Sequence, residues 1–135
     1  MNHIRHIAIS AQEPENTAEF YKEAFGFKEV GRISKEQGVL AHGVFLSDGL
    51  LNLAILKFKS EQGGISPDKV GLHHFGILVD NLDEVSAKIE SLGGVCFLKR
   101  PEDGSKGFFE TKFVGPDGVV FDISEHPWKN SISNS

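Results

Sequence analysis

Six histidines and one cysteine are the groups in this chain best able to do chemistry, and two of the histidines occupy equivalent places. His6 lies in Ile4–Ser10 (IRHIAIS) and His74 in Leu72–Leu78 (LHHFGIL). The segments align at an offset of 68, which also carries Gly26 onto Gly94. A lone strand histidine is usually a satisfied structural or surface group, whereas a matched pair points to shared chemistry, because a neutral imidazole ligates metals and carries protons near neutral pH. Alternation assigns the faces: Ile7 and Ile9 point one way, and His6, Ala8 and Ser10 the other. In the second copy Phe75, Ile77 and Val79 are apolar, opposite His74 and Gly76. His73 must then face away from His74 in a regular strand, and His3 is expected in solvent. Cys96, inside VCFL, reads as a small buried hydrophobe rather than a nucleophile. A single cysteine allows no internal disulfide, and MNHIRHIAIS has no signal-peptide core, so a reducing, cytoplasmic setting is expected.

Strand-borne histidines need a scaffold, and the repeat provides one twice. After each first strand comes a helix whose start is marked by Asn16 with Glu19, or Asn81 with Glu84, three residues on. Phe20 and Ala24, or Val85, Ile89 and Leu92, form an apolar stripe, and the helices end at Gly26 and at Gly93-Gly94. Three strands follow in each half: Lys28–Ile33, Val39–Ser47 and Leu50–Phe58, then Val95–Lys99, Gly107–Gly115 and Val119–Ser124. Asp48-Gly49 and Asp117-Gly118 are hairpin signals before the last strand. The order is βαβββ twice: residues 1–59 a first module, 60–71 a linker, 72–128 a second module and 129–135 a tail. The fold class is therefore α+β, and 135 residues leave little to spare. A net charge of −5 gives no footprint for nucleic acid or an anionic membrane. No apolar run reaches the roughly 18 residues of a membrane span. Of the eleven phenylalanines, Phe20, Phe25, Phe27, Phe45, Phe75 and Phe121 are expected in the helix-facing core.

With IRHIAIS followed by AEFYKEAFGF, then LHHFGILVDNLDEV and GPDGVVFDISE, the chain resembles the vicinal oxygen chelate superfamily from about Ile4 to His126. That group includes glyoxalase I, bleomycin-resistance proteins, extradiol dioxygenases and methylmalonyl-CoA epimerase. The resemblance implies two modules whose mixed sheets curl around a cavity, with metal ligands on its inner face. His6 and His74 take the first-strand ligand positions. Asp122 takes the last-strand position four residues after Gly118, where the family usually has Glu. In the first half the same count lands on Leu53, which cannot ligate. Alternation then puts Asn52 in the cavity, and an amide is a poorer ligand than a carboxylate.

The implied set is His6, His74 and Asp122 around a divalent Fe, Mn, Ni or Zn ion, with Glu125 or His126 as further ligands if the last strand runs longer. His42 and Thr111, aligned at an offset of 69, are candidate substrate contacts beside Asn52. Phe108 or Phe109, next to Glu102–Lys106, is a candidate lid, and Lys99 and Arg100 could attract an anion. These features imply a small metal-dependent lyase, isomerase or dioxygenase acting on a small molecule with neighbouring oxygens. The missing glutamates weigh against glyoxalase I or epimerase activity itself. The alternative is a metal-free binding protein of the bleomycin-resistance kind. Small relatives of this type are commonly homodimers, and the same is implied here.

Overall fold

The computed structural model describes residues 2–99 and 110–128. In chain order the elements are β1 (His3–Ser10), α1 (Pro14–Phe25), β2 (Lys28–Ile33), β3 (Leu40–Ser47), β4 (Asn52–Phe58), β5 (Gly71–Leu78), α2 (Leu82–Ser91), β6 (Val95–Leu98), β7 (Thr111–Val114) and β8 (Val120–Ser124). Tight turns delimit the hairpins as their residues dictate. The Asp48 carboxylate accepts the Leu50 and Leu51 N–H groups at 2.6 Å each. Asp117 and Gly118 both take positive φ, 63° and 75°, as a two-residue hairpin turn requires.

Two helix details differ from expectation. Helix α1 begins at Pro14, and its preceding residue, Glu13, makes no side-chain cap. Proline's fixed φ suits the first helical turn, which starts the helix upstream of Asn16. Helix α2 does start on the expected cap, Asn81, whose side chain accepts the Glu84 N–H at 3.0 Å.

All eight strands form one mixed sheet in the order β2-β3-β4-β1-β5-β8-β7-β6. Strands β1 and β4 run parallel, as do β5 and β8, while β1 and β5 meet antiparallel at the centre. The sheet therefore has an approximate two-fold relation between its halves, and the two histidine strands are neighbours. One face carries the helices. There Ala18 of α1 packs with Ala11, Val44, Leu46 and Ile55, and Leu82, Val85 and Ile89 of α2 pack with Val79, Phe113 and Ile123. The opposite face of the first half is lined by Ala8, Ala54, Leu56, Phe58 and Trp128. Among the described residues no helix is long and apolar enough to cross a membrane.

The phenylalanines divide differently from the periodicity reading. Phe27 and Phe121 pack on the helix layers, but Phe20 and Phe25 are 60% and 64% exposed on α1. Phe45 turns to the other face, with its ring 4.9 Å from that of Trp128. Its neighbours Val44 and Leu46 already fill the space under α1, and strand alternation sends Phe45 to the opposite side.

Candidate metal centre

His6 and Asp122 are the register partners of one residue, Gly76 of β5. Their side chains converge above it with that of His74, two residues earlier on the same strand. His6 Nε2 lies 3.4 Å from His74 Nε2. Asp122 Oδ2 lies 3.1 Å from His74 Nε2 and 3.6 Å from His6 Nε2. His6 and Asp122 are buried, and these are the three residues that could together hold a metal ion among those described.

Two irregularities in the β1–β5 pairing shape the surroundings. The register slips between Ile4 and His6 on β1, and between the partners of Ala8 and Ile9, His74 and Leu72, on β5. Each slip is a β-bulge that lets two consecutive side chains reach the same side. The extra residues are Arg5 and His73, which match at the repeat offset of 68. Arg5 is 1% exposed. Its guanidinium holds the Glu110 carboxylate and donates to the His126 carbonyl. Glu110 in turn stands 3.9 Å from His6 Nδ1. His73 is buried, its ring stacked on Phe58 with centroids 4.2 Å apart, and its Nδ1 is 2.7 Å from His74 Nδ1. Both candidate ligand histidines thus aim Nε2 at the centre and Nδ1 at a neighbour.

Burial sets the charge states. It pushes the His6 imidazole down to about 3, further lowered by His74, Arg5 and Lys112 and partly offset by Glu110. His74 and His73 are each lowered to about 4, also chiefly by burial. All three rings are neutral at pH 7, the form that ligates metal. Burial raises the Glu110 carboxyl to about 7, with the Asp122 charge adding to the shift. Asp122 is raised by burial as well, against Glu110, Arg5 and Lys112.

The residues fit a divalent ion. His6 Nδ1 is buried with no hydrogen-bond partner among the described residues, and the buried Asp122 carboxylate faces two neutral imidazoles and the Glu110 carboxyl, a crowding of acceptors that costs free energy unless a cation or proton satisfies them. The point equidistant from the two Nε2 atoms and Asp122 Oδ2 lies about 2 Å from each, the bond length of a first-row divalent ion to nitrogen or oxygen. Two imidazoles and a carboxylate suit Fe, Mn, Ni or Zn and leave positions for a substrate.

The opposed shifts predict a domed stability curve for the metal-free protein. The histidines titrate lower in the fold than their unfolded value of about 6.5, so the unfolded chain binds more protons and stability falls as pH drops below about 6.5. Glu110 titrates higher in the fold, so its contribution is lost as pH rises through about 7, on the order of 1 kcal/mol between pH 6.5 and 8. Urea unfolding in chelator from pH 4 to 8 checks this. Glu110→Gln should flatten the alkaline limb and steepen the acid limb, because between about pH 4.5 and 7 Glu110 opposes the histidines.

The family model of the Glyoxalase/Bleomycin resistance protein/Dioxygenase superfamily matches residues 3–123. The chain belongs to this superfamily. It is 28% identical to a lactoylglutathione lyase of Schizosaccharomyces pombe over 97% of its own length and 51% of that protein's, so it spans about half of that relative. It is 27% identical to the uncharacterized protein YaeR of Escherichia coli, over 93% of this chain and 97% of YaeR. A Streptomyces coelicolor methylmalonyl-CoA epimerase, solved with 2-nitronate-propionyl-CoA, shares the fold with a TM-score of 0.69 and 24% identity over 90% of this chain and 92% of the epimerase.

Within this glyoxalase-type fold the expected site residues separate into two groups. His6, His74 and Asp122 converge, and Asn52 lies buried beside them as the register partner of His6. The Asn52 amide donates to the Arg5 carbonyl at 2.9 Å, which pins the bulge. A carboxylate at position 52 could not donate that bond. His42 and Thr111 do not line the cup. His42 Nε2 is 2.6 Å from Glu15 of α1 and its Nδ1 3.0 Å from the Ile33 carbonyl, while Thr111 pairs with Ile123 on the face that α2 covers. The repeat alignment of the two residues holds, and alternation puts both on the helix side.

His73 is likewise corrected from the outer face to the inner one, because the bulge breaks the alternation. Glu125 turns away to accept the Leu82 N–H at 2.6 Å. Lys99 is exposed. Arg100, the Glu102–Lys106 loop, Phe108 and Phe109 lie outside the described residues. The sequence reading missed Arg5, Glu110 and Trp128, whose ring stacks on His6 at 5.5 Å. The repeat offers a signal for Arg5 alone, its match with His73.

Proposed function

We propose that the chain is a small metal-dependent enzyme of the glyoxalase and dioxygenase type, acting on a small substrate whose neighbouring oxygens chelate a divalent ion held by His6, His74 and Asp122. The observation that carries this reading is the convergence of three ligand atoms within 3.6 Å of one another, two of them on neutral histidines and one on a buried carboxylate. A bound ion would supply Lewis-acid stabilisation of charge developing on a substrate oxygen.

The chain's own residues would supply binding and proton transfer. Phe45, Phe58 and Trp128 form an apolar wall beside His6 and His74 that keeps water from the site. Lys112, whose ammonium donates to Gln62 at 3.3 Å, presents a positive charge near His74 and Asp122. Glu110 has the pKa of a group able to take and return a proton near neutrality. The carboxyl that the sequence lacks at position 53 thus has a counterpart from the other half, which supports proton transfer over oxygen chemistry, as does the likeness to a lactoylglutathione lyase.

The test is metal content. Protein stripped and reconstituted with Fe(II), Mn(II), Ni(II) or Zn(II) should bind close to one equivalent, and His6→Ala/His74→Ala should bind none. No stoichiometric metal in the wild-type chain would sink the enzyme reading and leave the metal-free binding protein. With metal bound, exchange of the carbon-bound proton of hydroxyketones into heavy water is expected, without oxygen uptake on catechols.

A further inference from the structure

We propose that His73 is a positioning residue that accepts the Nδ1–H of His74, fixing that ring in the tautomer whose Nε2 is free to bind a cation. This rests on the metal reading above and assigns a role to a residue outside the ligand set. The two Nδ1 atoms are 2.7 Å apart, a separation at which one must carry a hydrogen and the other a lone pair. His74 Nε2 points to the other candidate ligand atoms, 3.1 Å from Asp122 Oδ2 and 3.4 Å from His6 Nε2. For His74 Nε2 to bind a cation it must offer a lone pair rather than a hydrogen. With Nε2 unprotonated, the His74 hydrogen is on Nδ1 and His73 is the acceptor.

The placement of His73 is built rather than incidental. The bulge at His73 turns two consecutive imidazoles to one side, and Phe58 holds the first by face-to-face stacking at 4.2 Å and 19°. The opposite bulge does the equivalent job less directly: Arg5 holds Glu110, and Glu110 faces Nδ1 of His6. His74 thus has a hydrogen-bonded partner on its far nitrogen, the arrangement that orients metal-binding histidines and raises their basicity, whereas His6 has only a carboxylate 3.9 Å from its own.

Two variants divide stacking from hydrogen bonding. His73→Phe keeps an aromatic ring on Phe58 and removes the acceptor, whereas His73→Gln keeps an acceptor and removes the ring. Nitrogen-15 spectra of the metal-free protein report which nitrogen of His74 carries the hydrogen. The expected result is Nδ1–H in the wild-type chain and in His73→Gln, and a mixture or Nε2–H in His73→Phe. Zn(II) titrations should show affinity down by about 10–100-fold in His73→Phe and within a few-fold of wild type in His73→Gln. An Nε2–H on wild-type His74, or a His73→Phe protein with unchanged tautomer and Zn(II) affinity, would overturn the proposal. If the wild-type chain took up no Zn(II), the metal reading would fall, and the spectra, read without metal, would still decide whether His73 fixes the His74 ring.

Discussion

Replacing Gly76 by alanine should abolish metal binding while leaving most of the fold intact. A Cβ built on Gly76 would fall 2.5 Å from Asp122 Oδ1 and closer still to the His6 ring. The contact is with the side chains that form the centre, so relief requires moving a ligand. Backbone strain plays no part, since Gly76 is not among the positive-φ glycines. The matched position in the first half is Ala8, which is fully buried with a methyl in place. The difference between the two halves is that ligands cross over Gly76. Overpacking of this kind costs about 1–3 kcal/mol. Loss of the geometry of two of three ligands should weaken Zn(II) binding by more than the roughly 100-fold that a supporting residue accounts for. Gly31→Ala is the control, because its Cβ would meet the Phe45 side chain alone, a ring carbon at 3.2 Å and the Cβ at 3.9 Å, and no ligand. Titration calorimetry with Zn(II) on both variants decides the matter. Retained affinity in Gly76→Ala would mean that the ligand atoms do not converge over this residue.

How far such a site can be read from sequence depends on whether alternation holds. Along β8 and β4 it does, so Asp122 and Asn52 fall on the inner face as their neighbours Ile123 and Leu53 fall under the helices. The Asp-Gly turns fix where those strands begin, and the repeat ties His6 to His74. Alternation fails at Arg5 and His73, because a bulge adds a residue that no local residue type announces. For His42 and Thr111 the alignment between halves was sound and the face was wrong. Thr111 shares its face with Phe113, and Lys112 between them faces the cup as partner of Asp122. Glu110 escapes notice because its role depends on a charge 105 positions away, a distance across which sequence carries no signal without the sheet order.

That long-range pair sets the second large effect: Arg5→Met should destabilise the protein by about 3–5 kcal/mol, the cost of leaving a buried ion-pair partner uncompensated. Arg5 is enclosed by the bulge, Glu110 and the His126 carbonyl. Its removal strands a carboxylate that already faces Asp122 and whose burial already disfavours the charge. The carboxyl would respond by holding its proton to higher pH, so the loss should grow as pH rises from 6 to 8. Glu110→Gln in the same background removes the charge that Arg5 answers, and the double variant should recover about half of the lost stability. A double-mutant cycle by urea unfolding in chelator measures the coupling, expected at about 1.5–3 kcal/mol. Additive single effects would mean that Arg5 acts through packing alone. The cycle also bears on the site, because the Glu110 carboxylate that Arg5 holds stands 3.9 Å from His6 Nδ1. Arg5→Met should therefore weaken Zn(II) binding as well, by up to about 10-fold.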